Sequence, residues 1–137
     1  DGAFSGTHYQ LAETLCRPQP VSRPHPPIMV GGSGERKTLR LVAQYAQMCN
    51  LFGEGPDAVA HKLEVLRGHC DTVGTDYDAI EKSIIATADP FDDGFLPEME
   101  AYAGLGVQTV VLVPGGDDPV AWTTDVVEKV LPRLAEV

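Results

Sequence analysis

Nothing in this chain is apolar for long enough to cross a bilayer: no run approaches the ~18 residues that a spanning helix needs. Positive charge is also scarce. Lys and Arg number 10 against 20 Asp and Glu, a net charge of −10, and a nucleic-acid surface would need a basic face that this balance does not supply. The cysteines are Cys16, Cys49 and Cys70, an odd set without CxxC spacing. That pattern predicts free thiols in a reducing, cytoplasmic setting. No metal set is expected either, because His61 and His69 lie eight residues apart, ~80° off a shared helical face, and no acidic or Cys partner completes them. There is no initial Met and no apolar signal segment. The start at Asp1 predicts a piece of something longer.

What is present is the composition of one globular domain. At 137 residues and 43% hydrophobic content, a single core is possible. Residues 1–27 are expected to be an irregular, extended lead-in, since "RPQPVSRPHPP" carries five prolines that fix φ and remove donors. From residue 28 the chain repeats one theme. "PIMVGG" is a short strand, followed by a helix with Leu39, Val42, Ala43 and Ala46 on one face. "AQMCNLFG" precedes a helix opened by Pro56 and Asp57, with Val59, Leu63, Leu66 and Cys70 on one face and Gly74 as its stop. "IEKSIIATADP" (80–90) precedes a stripe of Phe95, Met99 and Tyr102. "VQTVVLVPGG" (107–116) reads as the most buried strand, and its helix carries Val126, Val127, Val130, Leu131 and Leu134. Four strand–helix units imply parallel strands with right-handed crossovers, and continuous apolar strands predict a sheet covered on both faces. A full eight-fold barrel takes about 250 residues, so the α/β chain is half of one or a small open sheet.

The turn "GGSGERKT" is the part with chemical content. A P-loop needs Gly-Lys-[Ser/Thr] contiguous, and Glu35 and Arg36 separate Gly34 from Lys37. The dinucleotide fingerprint needs a third glycine where Lys37 stands. What fits is a barrel-type phosphate site, in which a strand turns through glycines and the amides opening the next helix face an anion. Gly31, Gly32 and Gly34 permit close approach, Ser33 adds a hydroxyl, and Arg36 and Lys37 add charge. A glycine-rich turn with no ligand fits the same residues equally.

The stretch from "FSGTHYQLAETLC" through "PPIMVGGSGERKTLRLVAQYAQMCNLFG" resembles the C-terminal part of luciferase-like monooxygenases, most closely the branch using the deazaflavin coenzyme F-420. The family pattern is "F-x-G-x-x-Y-x-L", then "PPI-x-[VI]-GG-x-G", then a helix rich in "TLRLVA-x-YAD" and a strand with "CN". "HKLEVLRGHCDTVGTDYDAIEKS" and "LGVQTVVLV" continue the likeness.

The resemblance implies the C-terminal half of a (β/α)8 TIM-type barrel. It places Gly31, Gly32, Ser33 and Gly34, with Arg36, at the cofactor phosphate loop, and Asn50, Leu51 and Phe52 at the next strand end, facing the cofactor. Thr87, Asp89 and Pro114 to Gly116 would lie near the substrate mouth. The implied cofactor is F-420, with FMN the alternative, and the implied reaction is hydride transfer to or from an organic substrate. Gln47 departs from the family's Asp in "YAD", a position expected to fix a local turn. The family's first four strands, which hold the ring system, are not among residues 1–137, so the chain alone is expected to be weakly active or inactive. Its expected partners are a small-molecule cofactor and substrate, and either a second copy, since half a closed sheet bares edges near 28–30 and 109–113, or the N-terminal half. A non-catalytic module that only binds phosphate is the remaining alternative. Trp122 is expected to pack under a loop more readily than to cap the site. His8 and Tyr9 are weaker candidates for lining it, and "DDGF" and "GGDDP" read as helix starts.

Overall fold

The computed structural model describes residues 2–15 and 17–136; Asp1 and Cys16, on which expectations were placed, lie outside them. The lead-in is not irregular throughout. Gly2–Ser5 (β1) and Gln10–Thr14 (β2) form an antiparallel hairpin, closed by the Gly6 N–H on the Tyr9 carbonyl at 2.8 Å. The reason is positional: every proline of the segment stands at 18 or later, so residues 2–14 keep all their ladder donors. His8 and Tyr9 fall in the hairpin turn, where Tyr9 is exposed.

The remaining strands, Met29–Gly31 (β3), Met48–Phe52 (β4), Glu81–Ala86 (β5) and Thr109–Leu112 (β6), form one parallel sheet in the order β3-β4-β5-β6. Between them run Thr38–Tyr45 (α1), Pro56–Val73 (α2) and Phe95–Gly104 (α3). The last unit ends in Pro119–Asp125 (α4), a π-turn at Val126–Val130 and Leu131–Leu134 (α5). Asp118 starts α4 by accepting from the Val120 and Ala121 amides, both at 3.0 Å, the role expected of an acid at a helix start. The π-turn has a local cause. Pro132 has no N–H for an i−4 bond and its ring crowds that carbonyl, and the Leu131 amide reaches back five residues to Val126.

The apolar stripes land where their spacing places them. Leu39, Val42 and Ala43 of α1, Val59, Leu63, Leu66 and Cys70 of α2, and Phe95, Met99 and Tyr102 of α3 are all buried, and the Gly74 amide closes α2 on the Cys70 carbonyl at 2.8 Å. They pack on alternate strand residues, Val30, Cys49, Leu51, Ile84, Ala86, Val110 and Leu112. The residues between these point the other way, and there Met29, Phe52 and Val111 are exposed. The sheet is therefore covered on one face among the described residues, not on both.

This geometry also corrects the reading of the last unit. The most buried strand is β5, second from the edge, whereas β6 pairs on one side only and its Val111 is 43% exposed. Val126 and Val130 reach the core, and Leu134 packs against it. Val127 and Leu131 are exposed, because among the described residues no layer lies outside the terminal helix. The bare edges are β3 and β6, as expected, and among the described residues no barrel closes. Cys49 and Cys70 are free thiols, both fully buried. No described helix is long and apolar enough to cross a membrane.

Gln47 fixes the entry to the sheet. Its side-chain oxygen accepts the Ile28 amide at 2.9 Å, while its main chain bonds Ile28 and Glu81.

Candidate functional site

All four parallel strands end on one rim, and the loop leaving β3 is tied to its neighbour there. The Gly32 amide donates to the Asn50 carbonyl at 2.9 Å. The Ser33 hydroxyl accepts the Phe52 amide at 3.1 Å, and the Gly34 carbonyl accepts the Leu39 amide at 3.0 Å, starting α1. Two glycines are required. Gly32 sits at φ +118°, which side chains rarely adopt, and a β-carbon on Gly34 would lie 2.8 Å from the Thr38 hydroxyl. Among the described residues, no backbone N–H from Ser33 to Lys37 donates within the chain. The result is a run of free amide donors at a glycine turn, the feature that makes such turns anion sites.

Around this turn lies an open cleft of about 1120 Å³, lined by Ser33, Gly34, Glu35, Arg36, Lys37, Thr38, Arg40 and Lys62. Four of the eight are cations, in a chain of net −10. Arg36 and Lys37 were legible in the sequence; Arg40 and Lys62 were not. Arg40 had a signal in its i+4 spacing from Arg36, which puts both on one side of the helix start. Lys62 had none, since it arrives from α2. Glu35, the single acid, pairs with Lys62 and with His61 Nε2 at 3.2 Å, and its carbonyl accepts from His69 Nε2 at 2.7 Å. The hydrogen bond and charge of Lys62 hold the Glu35 carboxyl below its ordinary value. His61 and His69 thus converge on one loop residue, and among the described residues no three potential metal ligands cluster.

The residues of β4 divide between the two faces. Asn50 lies on the open face and donates through Nδ2 to the buried Ser83 hydroxyl at 3.0 Å; Ser83 in turn donates to the Cys49 carbonyl at 2.7 Å. Phe52 is 54% exposed beside it. Leu51 corrects the expectation of three neighbouring contacts. Strand alternation turns its side chain into the helix-covered core, where it is 1% exposed, so it can offer a ligand only its main chain.

Further along the rim, Thr87, Asp89, Gly115 and Gly116 meet around a hollow of about 380 Å³ at the ends of β5 and β6. Phe91 and Trp122 share its wall, edge to face with ring centres 6.4 Å apart. Trp122 is half-buried and packs beside Gly115, so it both supports the loop and lines the hollow. Phe91 had no signal in the sequence beyond its place after a strand end.

The parallel sheet thus turns through a glycine loop with free amides from Ser33 to Lys37 into a cationic cleft, with a second hollow on the same rim. The family model for luciferase-like monooxygenases matches residues 2–89, a span that includes the hairpin, the glycine turn, β4, α2 and β5. The chain belongs to the luciferase-like monooxygenase family.

Proposed function

We propose that this chain is the cofactor-phosphate-binding part of an oxidoreductase that passes a hydride between the deazaflavin coenzyme F-420 and an organic substrate. Members of the family generally bind a flavin or F-420. The residues fit the phosphate of such a group: unpaired amides from Ser33 to Lys37, a Gly34 whose missing side chain leaves room against Thr38, and four cations about the cleft. The glycine turn with its free amides is the observation that carries the reading. When bound, the cofactor supplies the hydride chemistry through its ring.

The chain's own residues divide the remaining work. Ser33, Gly34 and Arg36 hold the phosphate, while Asn50 and Phe52 present a polar and an apolar surface on the open sheet face. The hollow at Thr87, Asp89 and Trp122 takes part of the substrate. Hydride transfer needs donor and acceptor held within ~3–3.5 Å and aligned, and an open four-stranded sheet leaves the ring unsupported on one side. The sheet is accordingly read as half of an eight-stranded barrel whose other strands complete the site, so the chain alone binds cofactor without turnover.

The test is a fluorescence titration of the 137-residue chain with F-420 and, separately, with FMN. Saturable binding of F-420, weakened roughly tenfold or more by Arg36→Glu through a lost charge-assisted bond and added repulsion, is the expected result. Binding of FMN alone would move the assignment to a flavin enzyme. Binding of neither would overturn it.

A further inference from the structure

Glu35 is an anomaly in an anion site: a carboxylate in a cleft whose charged residues are otherwise cations. Its three partners all come from α2. Its carboxylate takes Lys62 and His61, and its main-chain carbonyl accepts from His69 at 2.7 Å. A carbonyl can only accept, so His69 Nε2 carries a proton here. The loop does not hold itself, because its amides from Ser33 to Lys37 make no bond within the chain among the described residues. Between Gly32 and α1 it is fixed by the Phe52 amide on Ser33, by the Leu39 amide on Gly34, and by α2 gripping Glu35.

We propose that Glu35 is a positioning residue of the anion site: it latches the glycine loop to α2 and fixes Lys62 as a further ligand-binding cation that the loop itself does not contain. An ammonium group has three donors, so the bond to Glu35 leaves two of the Lys62 donors for the ligand. This assignment rests on the cofactor-phosphate reading of the loop.

It makes a prediction opposite in sign to simple electrostatics. Removing a negative charge from a cationic cleft should tighten anion binding, whereas removing a latch should weaken it. Glu35→Ala, Lys62→Met, the double variant and Lys62→Arg are to be titrated with F-420, using inorganic phosphate and FMN as competitors. Glu35→Ala is expected to weaken F-420 binding about tenfold, the order of effect from re-freezing one lysine side chain. Lys62→Met should lose at least as much. The double variant should stay within about twofold of Lys62→Met, because coupled residues do not add, and Lys62→Arg should retain most of the affinity. Unchanged or tighter binding by Glu35→Ala overturns the proposal.

Hydrogen exchange supplies a readout that needs no ligand. The Leu39 and Phe52 amides donate to Gly34 and Ser33 and should exchange faster than in the parent in a Glu35→Ala, His69→Phe double variant, which removes the carboxylate contacts and the His69 bond to the Glu35 carbonyl alike. Unchanged exchange at both overturns the latch. If the parent binds neither F-420, FMN nor phosphate, the phosphate-loop reading and the role of Lys62 fall together, and the exchange data still decide whether Glu35 holds the loop.

Discussion

Gly31 and Gly32 are adjacent and chemically identical, yet the structure gives them different demands. At Gly31 an added β-carbon would meet only the Asn50 carbonyl oxygen at 4.0 Å, and its φ is not positive. At Gly32 the β-carbon would meet Thr38 Cγ2 at 3.4 Å, a tolerable contact, but φ is +118°. Glycine-to-alanine replacement stabilises by about 0.4–1 kcal/mol through the unfolded chain wherever the native backbone accepts it, and that gain is shared by both positions. The difference between Gly31→Ala and Gly32→Ala is therefore the backbone strain alone, about 1–3 kcal/mol for a residue held in such a region. At ~4 °C per kcal/mol for a domain of this size, Gly32→Ala should melt about 4–12 °C below Gly31→Ala, while Gly31→Ala equals or exceeds the parent. Scanning calorimetry on the three proteins under one buffer measures this. Melting of the two variants within 2 °C of each other would refute the conformational argument for the loop.

Tyr102 joins two elements: its hydroxyl donates to Glu98 at 2.9 Å and accepts the Gly55 amide at 3.1 Å. Burial, and then the bond to Glu98, push its pKa up to about 12 from an ordinary 10. A raised acid pKa gives stability that is complete below the unfolded value and lost as pH rises through the folded one, so melting temperature should fall between pH 10 and about 12. Tyr102→Phe should cost about 1–2 kcal/mol at pH 7 and flatten that part of the alkaline decline, as melts against pH will report. Leu66→Ala, at the fully buried centre of α2, should cost about 2–5 kcal/mol in urea unfolding. Leu41→Ala on the exposed side of α1 should stay within about 0.5 kcal/mol of the parent.

Local pattern carried most of the fold. The buried faces of α1 and α2 follow from helical spacing, and the stop at Gly74 from its place after the last apolar residue, because these depend on neighbours within a few turns. Burial of a strand depends on what lies beside it, which is why the valine-rich β6 is half-exposed at the sheet edge while β5, with Ser83 inside, is the buried strand. The exposure of Val127 and Leu131 has the same cause, since nothing among the described residues packs over them. At the site, the glycine turn was legible because a turn is local chemistry. Lys62, His61 and His69 were not, since their meeting with Glu35 depends on the angle at which α2 crosses behind the loop. Leu51 could have been assigned correctly from strand alternation with Cys49 alone.

The two buried cysteines give the molecule a clock. Cys49 and Cys70 lie between the sheet and α2 with no exposed surface, and burial pushes the Cys49 thiol up in pKa, so in the closed form neither sulfur is open to reagent. Alkylation then waits on separation of α2 from β4, and its rate counts those excursions. In a Cys16→Ser background, the two labelling rates would tell whether the helix lifts as one piece or peels from one end. The same helix carries Lys62, so the frequency of those openings sets an upper limit on how long the cationic cleft stays assembled.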